Sequence, residues 1–390
     1  MKERIVIITE NNLVKYPPMQ SLLQILIEFG KKVCFVGYCS DAETQKRFEY
    51  LGVSFCKLYC EYGRNIASRL INNILYRRRL QDILHDLRVT SNDLIIYDYT
   101  DAIYYTHDLI SSHRFIVLFY EFINPHRSWK YKLLYSSYNI KTLLQNSVGV
   151  IHCEYNRAQI TKGLYDLKKL PYVLPNKPYI DDSLLIQDIP DSISCMVTEF
   201  KHKIVGKKVI LYQGVFLSNE RRLEEFCQAI ELLPEDFILV SMGSGSDYYD
   251  YLKDKYESER IIFLPFINPP YHLLITQLAS IGVLSYFPLD RTFSGVINPL
   301  YCAPNKIFEY SKYSIPMVSN DIPGLRNIFD KYQCGKVISD PFSPNQIKDA
   351  ILDLTNQYQN YANGALEYYN SVDIKSIIKN IFTDIESNLL

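Results

Sequence analysis

The sequence lacks the features that mark metal-binding, exported or membrane-spanning proteins. Its nine cysteines form no Cys-x-x-Cys pair and no His/Cys cluster at metal-ligand spacing. No apolar run approaches the roughly 20 residues of a membrane helix. The apolar stretch near the amino terminus is short and ends at Glu10, which argues against a signal peptide. We therefore expect a cytoplasmic protein with reduced cysteines, no metal and no cofactor.

An excess of charge of either sign is also lacking. The 390 residues contain 42 Lys and Arg against 43 Asp and Glu, for a net charge of −1. This balance gives no global attraction to nucleic acid, so a site for anions must come from a local cluster of cations. The hydrophobic content of 47% and the length predict two domains with sizeable cores.

The first part of the chain alternates short β-branched runs with helical patterns. Strands are predicted at residues 4–9, 32–37, 93–98, 115–119, 149–152 and 172–174. This alternation is typical of a parallel sheet covered on both faces. We predict a first Rossmann-like domain at residues 1–178, followed by a polar linker with a connecting helix at residues 179–206.

A second alternating series begins near residue 208. Strands are predicted at residues 209–213, 237–242, 260–264, 281–286 and 317–319, and helices at residues 221–232, 247–256, 271–279 and 306–313. We predict a second Rossmann-like domain at residues 207–372 and a helix at residues 373–390 that packs back on the first domain. Ligands of such sheets lie at the carboxyl ends of the strands, so the working site is expected in a cleft between two facing domains.

Two glycines follow predicted strands of the second domain. Gly214 precedes Arg221 and Arg222, which we interpret as opening a helix and binding phosphate, because cations at a helix start otherwise oppose the helix dipole. Alternatively, both arginines are exposed to solvent and bind no phosphate. Gly243 lies in a glycine-serine turn. This turn could contribute to ligand binding, or it could equally be an ordinary connection between a strand and a helix.

The most informative segment is residues 298–310, which follow a loop containing Ser294. Pro304 suits the start of a helix, Lys306 falls in its first turn, and Glu309 lies three residues later on the same face. A lysine for a diphosphate and a carboxylate for ribose hydroxyls would recognise a nucleotide. Alternatively, Lys306 and Glu309 form only a salt bridge with each other, three residues apart on the helix, and bind no nucleotide.

Gly214 with Arg221, the run at residues 304–310, residues 315–318 and the later Cys334 and Gly335 resemble the carboxy-terminal half of glycosyltransferase family 4 enzymes. The resemblance implies a GT-B fold, a nucleotide-sugar donor in the second domain, an acceptor in the first, no required metal, and retention at the anomeric carbon. Family pattern places the second glutamate of an E-x7-E element at Glu309, whereas Tyr301 stands where the first would be. The residues expected at the donor are Gly214, Arg221, Arg222, Gly243, Ser294, Tyr301, Asn305, Lys306 and Glu309.

The expected function is transfer of a sugar, with a UDP-sugar as donor by family frequency, to a glycan or lipid-linked glycan in bacterial surface polysaccharide assembly. Arg221 and Lys306 are expected to stabilise the leaving diphosphate. In the first domain Glu121 and His126 are candidates for catalysis. Glu121 is equally well interpreted as a structural hydrogen bonder, and His126 is better interpreted as a solvated loop residue. A GT-B epimerase and a non-catalytic sugar-binding protein are the alternatives.

Basic residues also occur in two further segments, an amphipathic helical pattern at residues 66–87 and a stretch of basic and aromatic residues at 127–141. The helical pattern is accompanied by Arg64, Arg69, Arg77, Arg78 and Arg79. Such faces could contact the anionic inner leaflet of the plasma membrane, or they could be ordinary solvated surfaces. The sequence leaves both interpretations open.

Overall fold

A computed structural model describes residues 4–59, 63–124, 140–179, 189–244 and 246–387. The chain divides into two compact units. Unit 1 comprises Met1–Tyr179 and Ile374–Leu390, and unit 2 comprises Ile180–Asp373. The predicted linker region holds a helix, Asp191–Lys203, that belongs to unit 2.

Unit 1 is built on a seven-stranded parallel sheet with the order β3-β2-β1-β4-β5-β6-β7. Its strands are β1 (Arg4–Asn12), β2 (Lys32–Tyr38), β3 (Ser54–Lys57), β4 (Leu94–Asp98), β5 (Arg114–Phe119), β6 (Gly149–His152) and β7 (Tyr172–Val173). The helices in this part of the chain are α1 (Pro17–Glu28), α2 (Ala42–Tyr50), α3 (Ile66–Asp86), α4 (Ile103–Ile110), α5 (Ile140–Asn146) and α6 (Tyr155–Tyr165).

The sheet of unit 1 is buried on both faces. Side chains alternate along a strand, so Val6 and Ile8 of β1 enter one core cluster while Ile5 and Ile7 enter another. This explains why the strands have continuous apolar sequences instead of an alternating apolar and polar pattern.

Unit 2 repeats the plan with a six-stranded parallel sheet in the order β10-β9-β8-β11-β12-β13. Its strands are β8 (Lys208–Val215), β9 (Phe237–Ser244), β10 (Ile261–Leu264), β11 (Ile281–Leu284), β12 (Met317–Asn320) and β13 (Gly335–Ile338). Its helices are α7 (Asp191–Lys203), α8 (Ser218–Arg221), α9 (Glu224–Leu232), α10 (Asp247–Tyr256), α11 (Leu273–Thr276), α12 (Phe293–Leu300), α13 (Asn305–Lys312), α14 (Pro323–Tyr332), α15 (Pro344–Asn356) and α16 (Tyr358–Ser371).

The last helix, α17 (Ile374–Ser387), belongs to unit 1 although it follows all of unit 2 in the chain. Its apolar face, with Ile378 and Ile381, joins the core cluster that also holds Leu22 of α1. Lys375 pairs with Glu28 of α1 at 2.6 Å.

One prediction about the helices is wrong. The helix expected at residues 221–232 is instead two helices, α8 and α9, separated by Arg222 in the left-handed region with φ of +36°. Arg221 therefore ends a short helix and Arg222 follows it, so neither arginine opens a helix. Strands β3 and β13 were not predicted. Among the described residues no helix has the length and apolar character needed to cross a bilayer.

Candidate functional site

Three predicted residues of unit 2, Gly214, Gly243 and Lys306, lie where strands β8 and β9 end and helix α13 begins. Gly214 of β8 has φ of +131°, and a Cβ there would lie 3.0 Å from Nζ of Lys306. Gly243 pairs with Gly214 across the sheet, and a Cβ on Gly243 would lie 2.2 Å from the Gly214 carbonyl oxygen. Both positions therefore require glycine, because a side chain would displace the backbone or the lysine beside it.

Lys306 is the second residue of α13, and its ammonium group lies between aromatic rings. Nζ is 4.7 Å from the ring centroid of Tyr212 and 5.2 Å from that of Tyr286. The guanidinium of Arg221 lies over the same Tyr286 ring at 4.3 Å. The structure thus brings the two predicted phosphate-binding cations to one aromatic side chain.

The environment of Lys306 disfavours its charged form. Burial, followed by the nearby positive charge of Arg221, lowers the pKa of Lys306 to about 7. An anion placed beside the two cations would reverse this effect. The pair is therefore suited to binding a negatively charged group.

Arg221 is held in place by contacts with Glu220 and Ser285. Its side chain is 11% exposed and pairs with Glu220, and Ser285 donates a hydrogen bond to its backbone carbonyl. Within the described part of the chain its Nε is buried and has no hydrogen-bond partner. A buried N–H without an acceptor destabilises the folded state unless a ligand or a water molecule accepts its hydrogen bond.

Arg222 has different neighbours from Arg221. Its Nε donates to Glu225 at 2.7 Å, and its guanidinium lies over the rings of Phe287 and Phe342 at 4.7 and 5.2 Å. These contacts connect the start of α9 to the region before α15. The contact of Arg222 with a donor stays a prediction.

Glu309 is 4% exposed and belongs to a buried network of side chains. Gln213 donates to its Oε2, and Nε2 of His272 lies 3.2 Å from its Oε1. Thr276 in turn donates to Oε1 of Gln213 at 2.7 Å. His272 was missed in the sequence because it follows β10 in a loop that carries no motif, and only the parallel sheet brings it to Glu309.

The other three predicted donor residues lie around the ends of α12 and α13. Ser294 is the second residue of α12, where Thr292 accepts a hydrogen bond from the Gly295 amide at 3.2 Å. Tyr301 follows the last residue of α12, and Asn305 is the first residue of α13. Their contacts with a donor stay predictions.

In unit 1, Glu121 follows β5, and its side chain is 63% exposed. Its carboxylate lies 4.0 Å from Arg157, a buried residue that donates to the Tyr120 carbonyl at 2.8 Å. His126 lies outside the described residues. The catalytic roles of both residues stay predictions.

Two other carboxylates of unit 1 lie at the carboxyl ends of β1 and β4, and no motif indicated them. Asp98 is buried and accepts hydrogen bonds from Thr9 at 2.6 Å and Asn11 at 2.8 Å. Burial raises the pKa of Asp98 to about 6. Burial and the nearby charge of Asp101 raise the pKa of Glu10 to about 7. Strand ends of this kind are where ligands of parallel sheets bind.

Residues 207–357 match the family described as glycosyl transferases group 1. No curated protein matches the sequence.

The structure is similar to several solved structures over nearly the whole of both chains. HepE of Anabaena, crystallised with UDP and glucose, is 14% identical with a TM-score of 0.70, covering 99% of this chain and 100% of HepE. A glycosyltransferase of Rickettsia africae is 12% identical with a TM-score of 0.68, covering 100% and 99%. WaaG, a glycosyltransferase involved in lipopolysaccharide biosynthesis, is 14% identical with a TM-score of 0.60, covering 98% and 99%. The predicted GT-B fold is confirmed.

Proposed function

We propose that this chain is a glycosyltransferase that moves a sugar from a UDP-sugar to a glycan or lipid-linked glycan, since its residues 207–357 match the family described as glycosyl transferases group 1. We further propose that transfer retains the configuration at the anomeric carbon and serves bacterial surface polysaccharide assembly. HepE, crystallised with UDP, and WaaG, involved in lipopolysaccharide biosynthesis, support the choice of donor and pathway.

The observation that carries the proposal is the convergence of Arg221 and Lys306 on Tyr286. Breaking the bond between sugar and diphosphate builds negative charge on the leaving group, and two fixed cations stabilise that charge. Removal of one such group costs about 3 kcal/mol, or roughly a hundredfold in rate. We propose that these cations serve the diphosphate without a metal.

Glu309 is assigned to the donor ribose. A carboxylate has about four acceptor positions, and the contacts with Gln213 and His272 use two of them. The two that remain suit a pair of ribose hydroxyls. The network orients the carboxylate before the donor arrives, which lowers the entropic cost of binding.

Retention is assigned to departure and attack on the same face of the sugar. The acceptor oxygen forms a bond to the anomeric carbon, the bond from that carbon to the phosphate oxygen breaks, and the acceptor proton passes to the leaving phosphate. Glu309 is a poor candidate for a covalent nucleophile because Gln213 and His272 hold its oxygens in a buried network.

A thermal-shift screen with uridine, guanosine and adenosine diphosphates and their sugars tests the donor assignment. We expect a response to UDP and a UDP-sugar, since a ligand at about 100 times its Kd stabilises by about 2.7 kcal/mol. Lys306→Ala and Arg221→Ala should lose the response. Lys336→Ala is the matched control, because Lys336 pairs at the surface of unit 2 with Asp353.

Proton NMR of the responding UDP-sugar incubated without acceptor tests the reaction. Slow hydrolysis should release the sugar first in the anomeric configuration of the donor. Release of the inverted anomer would refute retention, and formation of an epimeric nucleotide sugar would identify an epimerase instead. A response to no nucleotide would refute the proposed function.

A further inference from the structure

Two cysteines of unit 1 lie side by side on neighbouring strands. Cys34 of β2 and Cys56 of β3 have their Sγ atoms 3.9 Å apart. Cys34 is 2% exposed, and Cys56 is partly buried against the core cluster that holds Cys34. The two residues are 22 positions apart in the sequence, so no motif indicates the pair. Only the pairing of β2 with β3 brings the thiols together.

The register of the two strands disfavours a disulfide between these thiols. Cys34 is paired with Ser54, and Cys56 is paired with Val36, so the two cysteines are diagonal neighbours. With strands about 4.8 Å apart and a rise of about 3.3 Å per residue, their Cα atoms are about 8 Å apart. A disulfide requires Cα atoms closer than about 7 Å, so a direct bond would need movement of the backbone.

The spacing of the sulfur atoms suits a metal ion between them. Metal–thiolate bonds are about 2.3 Å long, so sulfur atoms 3.9 Å apart correspond to a sulfur–metal–sulfur angle of about 115°. This angle lies between the tetrahedral and the trigonal values, whereas a linear site would need sulfur atoms about 4.6 Å apart. A bridging ion therefore joins the two side chains without the backbone movement that a disulfide needs.

The number of ligands decides which ion fits the pair. Among the described residues no third histidine, cysteine, aspartate or glutamate joins the two thiols, so they do not form a four-coordinate structural zinc site. Cu(I) is a soft cation that thiolates select, and two or three sulfur ligands are sufficient for it. The dithiol is therefore better suited to Cu(I) than to zinc.

A cavity gives access to the pair at the amino ends of the strands. Its volume is about 460 Å³, and its lining includes Arg4, Cys34 and Ser54. Burial, followed by the neighbouring Cys56 thiol, raises the pKa of Cys34 well above its usual range, whereas the charge of Arg4 acts in the opposite direction. Cys34 is therefore a thiol near neutral pH, and a metal ion must displace its proton.

We propose that Cys34 and Cys56 form a binding site for Cu(I). Two copper–sulfur bonds form, the two thiol protons pass to solvent, and no atom changes its oxidation state. One Cu(I) with two thiolates carries one negative charge, which the nearby guanidinium of Arg4 stabilises. The bound ion links β2 to the edge strand β3, so binding stabilises unit 1. This site is separate from the proposed transfer reaction and does not depend on it.

Competition with bicinchoninate, a chelator that forms a coloured Cu(I) complex, tests the proposal under anaerobic conditions. The whole protein should remove one equivalent of Cu(I) from the coloured complex. Cys34→Ser and Cys56→Ser should each bind Cu(I) at least about tenfold more weakly, because each loses one of the two thiolates. One equivalent of Cu(I) should also raise the unfolding temperature of the wild type but not that of either variant.

Cys39→Ser is the matched control, because Cys39 directly follows β2 but its thiol donates to the Asp41 carbonyl at 3.3 Å. It should bind Cu(I) as the wild type does. Circular dichroism should show each variant folded. Because Cys56 is only partly buried, Cys56→Ser is the decisive variant if Cys34→Ser does not fold.

Three results would overturn the proposal. They are wild-type affinity in Cys56→Ser, no Cu(I) uptake by the wild type, and an equal loss of affinity in Cys39→Ser, which would show that Cu(I) binds cysteines in general. None of them affects the UDP response, so the proposed function is tested separately.

Discussion

Lys306 combines a cationic side chain with an environment that disfavours its charge. The aromatic faces of Tyr212 and Tyr286 attract the ammonium group, but they replace water that would solvate it better. The charge of Arg221 adds repulsion, and the resulting pKa is about 7. A diphosphate bound as proposed would bring negative charge beside Lys306, so binding should raise this pKa.

Donor binding should therefore take up a proton near neutral pH. Below about 7 Lys306 is already protonated in the free enzyme, whereas above that value the donor must bind together with a proton. The Kd of the UDP-sugar should consequently rise with pH, by up to about tenfold per unit, until the pKa of the complex is reached. Calorimetric titration between about pH 6 and 9 measures this dependence.

Lys306→Arg is the control for the pH dependence, since its guanidinium stays charged throughout this range. Its Kd should vary much less with pH, even if the altered geometry weakens binding overall. The UDP-sugar itself suits the measurement, because its diphosphate is esterified at both ends. A wild-type Kd that stays constant across the range would contradict the assignment of Lys306 to the diphosphate.

Glu309 illustrates what sequence can and cannot predict about a side chain. Its place on one helical face with Lys306 follows from spacing alone. Its partners Gln213 and His272 come from β8 and the residue before α11, and no local pattern connects those segments to α13. The motif thus predicts a carboxylate for the donor at this position, and only tertiary structure shows which side chains orient that carboxylate.

At the scale of elements, buried parallel strands were the easiest to predict, since each is an unbroken apolar run. Strand β6 and helix α10 have the predicted bounds, and α3 differs by one residue. The error at residues 221–232 arose because the periodicity of α9 was extended backward through Arg222. Arg222 has a left-handed backbone, and its side chain donates to the Phe342 carbonyl, which lies 120 residues away and outside any local pattern.

The paired glycines of β8 and β9 allow a prediction at this scale. Gly243→Ala would place a methyl group 2.2 Å from the Gly214 carbonyl oxygen and 2.5 Å from the Phe216 ring, so the two strand ends must separate. We expect a loss of about 1–3 kcal/mol in the free energy of unfolding. The UDP response should weaken as well, because a shift of Gly214 would disturb Lys306, whose Nζ lies 3.0 Å from where a Cβ of Gly214 would be. Chemical denaturation and thermal shift measure the two effects.

Gly163→Ala provides the comparison, since Gly163 lies inside α6 and a Cβ there has no neighbour within 4 Å. This change should stabilise the protein by about 0.5–1 kcal/mol and leave the UDP response unchanged. Equal stability of the two variants would show that the strand ends accommodate a side chain at Gly243.

At the scale of the whole molecule, the two units share one plan. The order β3-β2-β1-β4-β5-β6 in unit 1 matches the order β10-β9-β8-β11-β12-β13 in unit 2, with β7 added in unit 1. This repetition was predictable because each unit alternates strands and helices along the sequence. Assignment of α17 to unit 1 needs the packing, since an amphipathic helix shows that it covers an apolar surface but not which one.

Removal of residues 374–390 should therefore damage unit 1 although the deleted segment follows unit 2. The deletion uncovers the apolar surface against which α17 packs, and each of its five buried apolar side chains contributes about 1.5–3 kcal/mol on burial. Hydrogen exchange should become faster in α1 and β1 but stay unchanged in β8 and β9. Lys375→Gln removes the ion pair with Glu28 and the contact with the Tyr179 ring at the surface, and it should leave the exchange rates nearly unchanged. Faster exchange in unit 2 instead would mean that α17 stabilises the unit that precedes it in the chain.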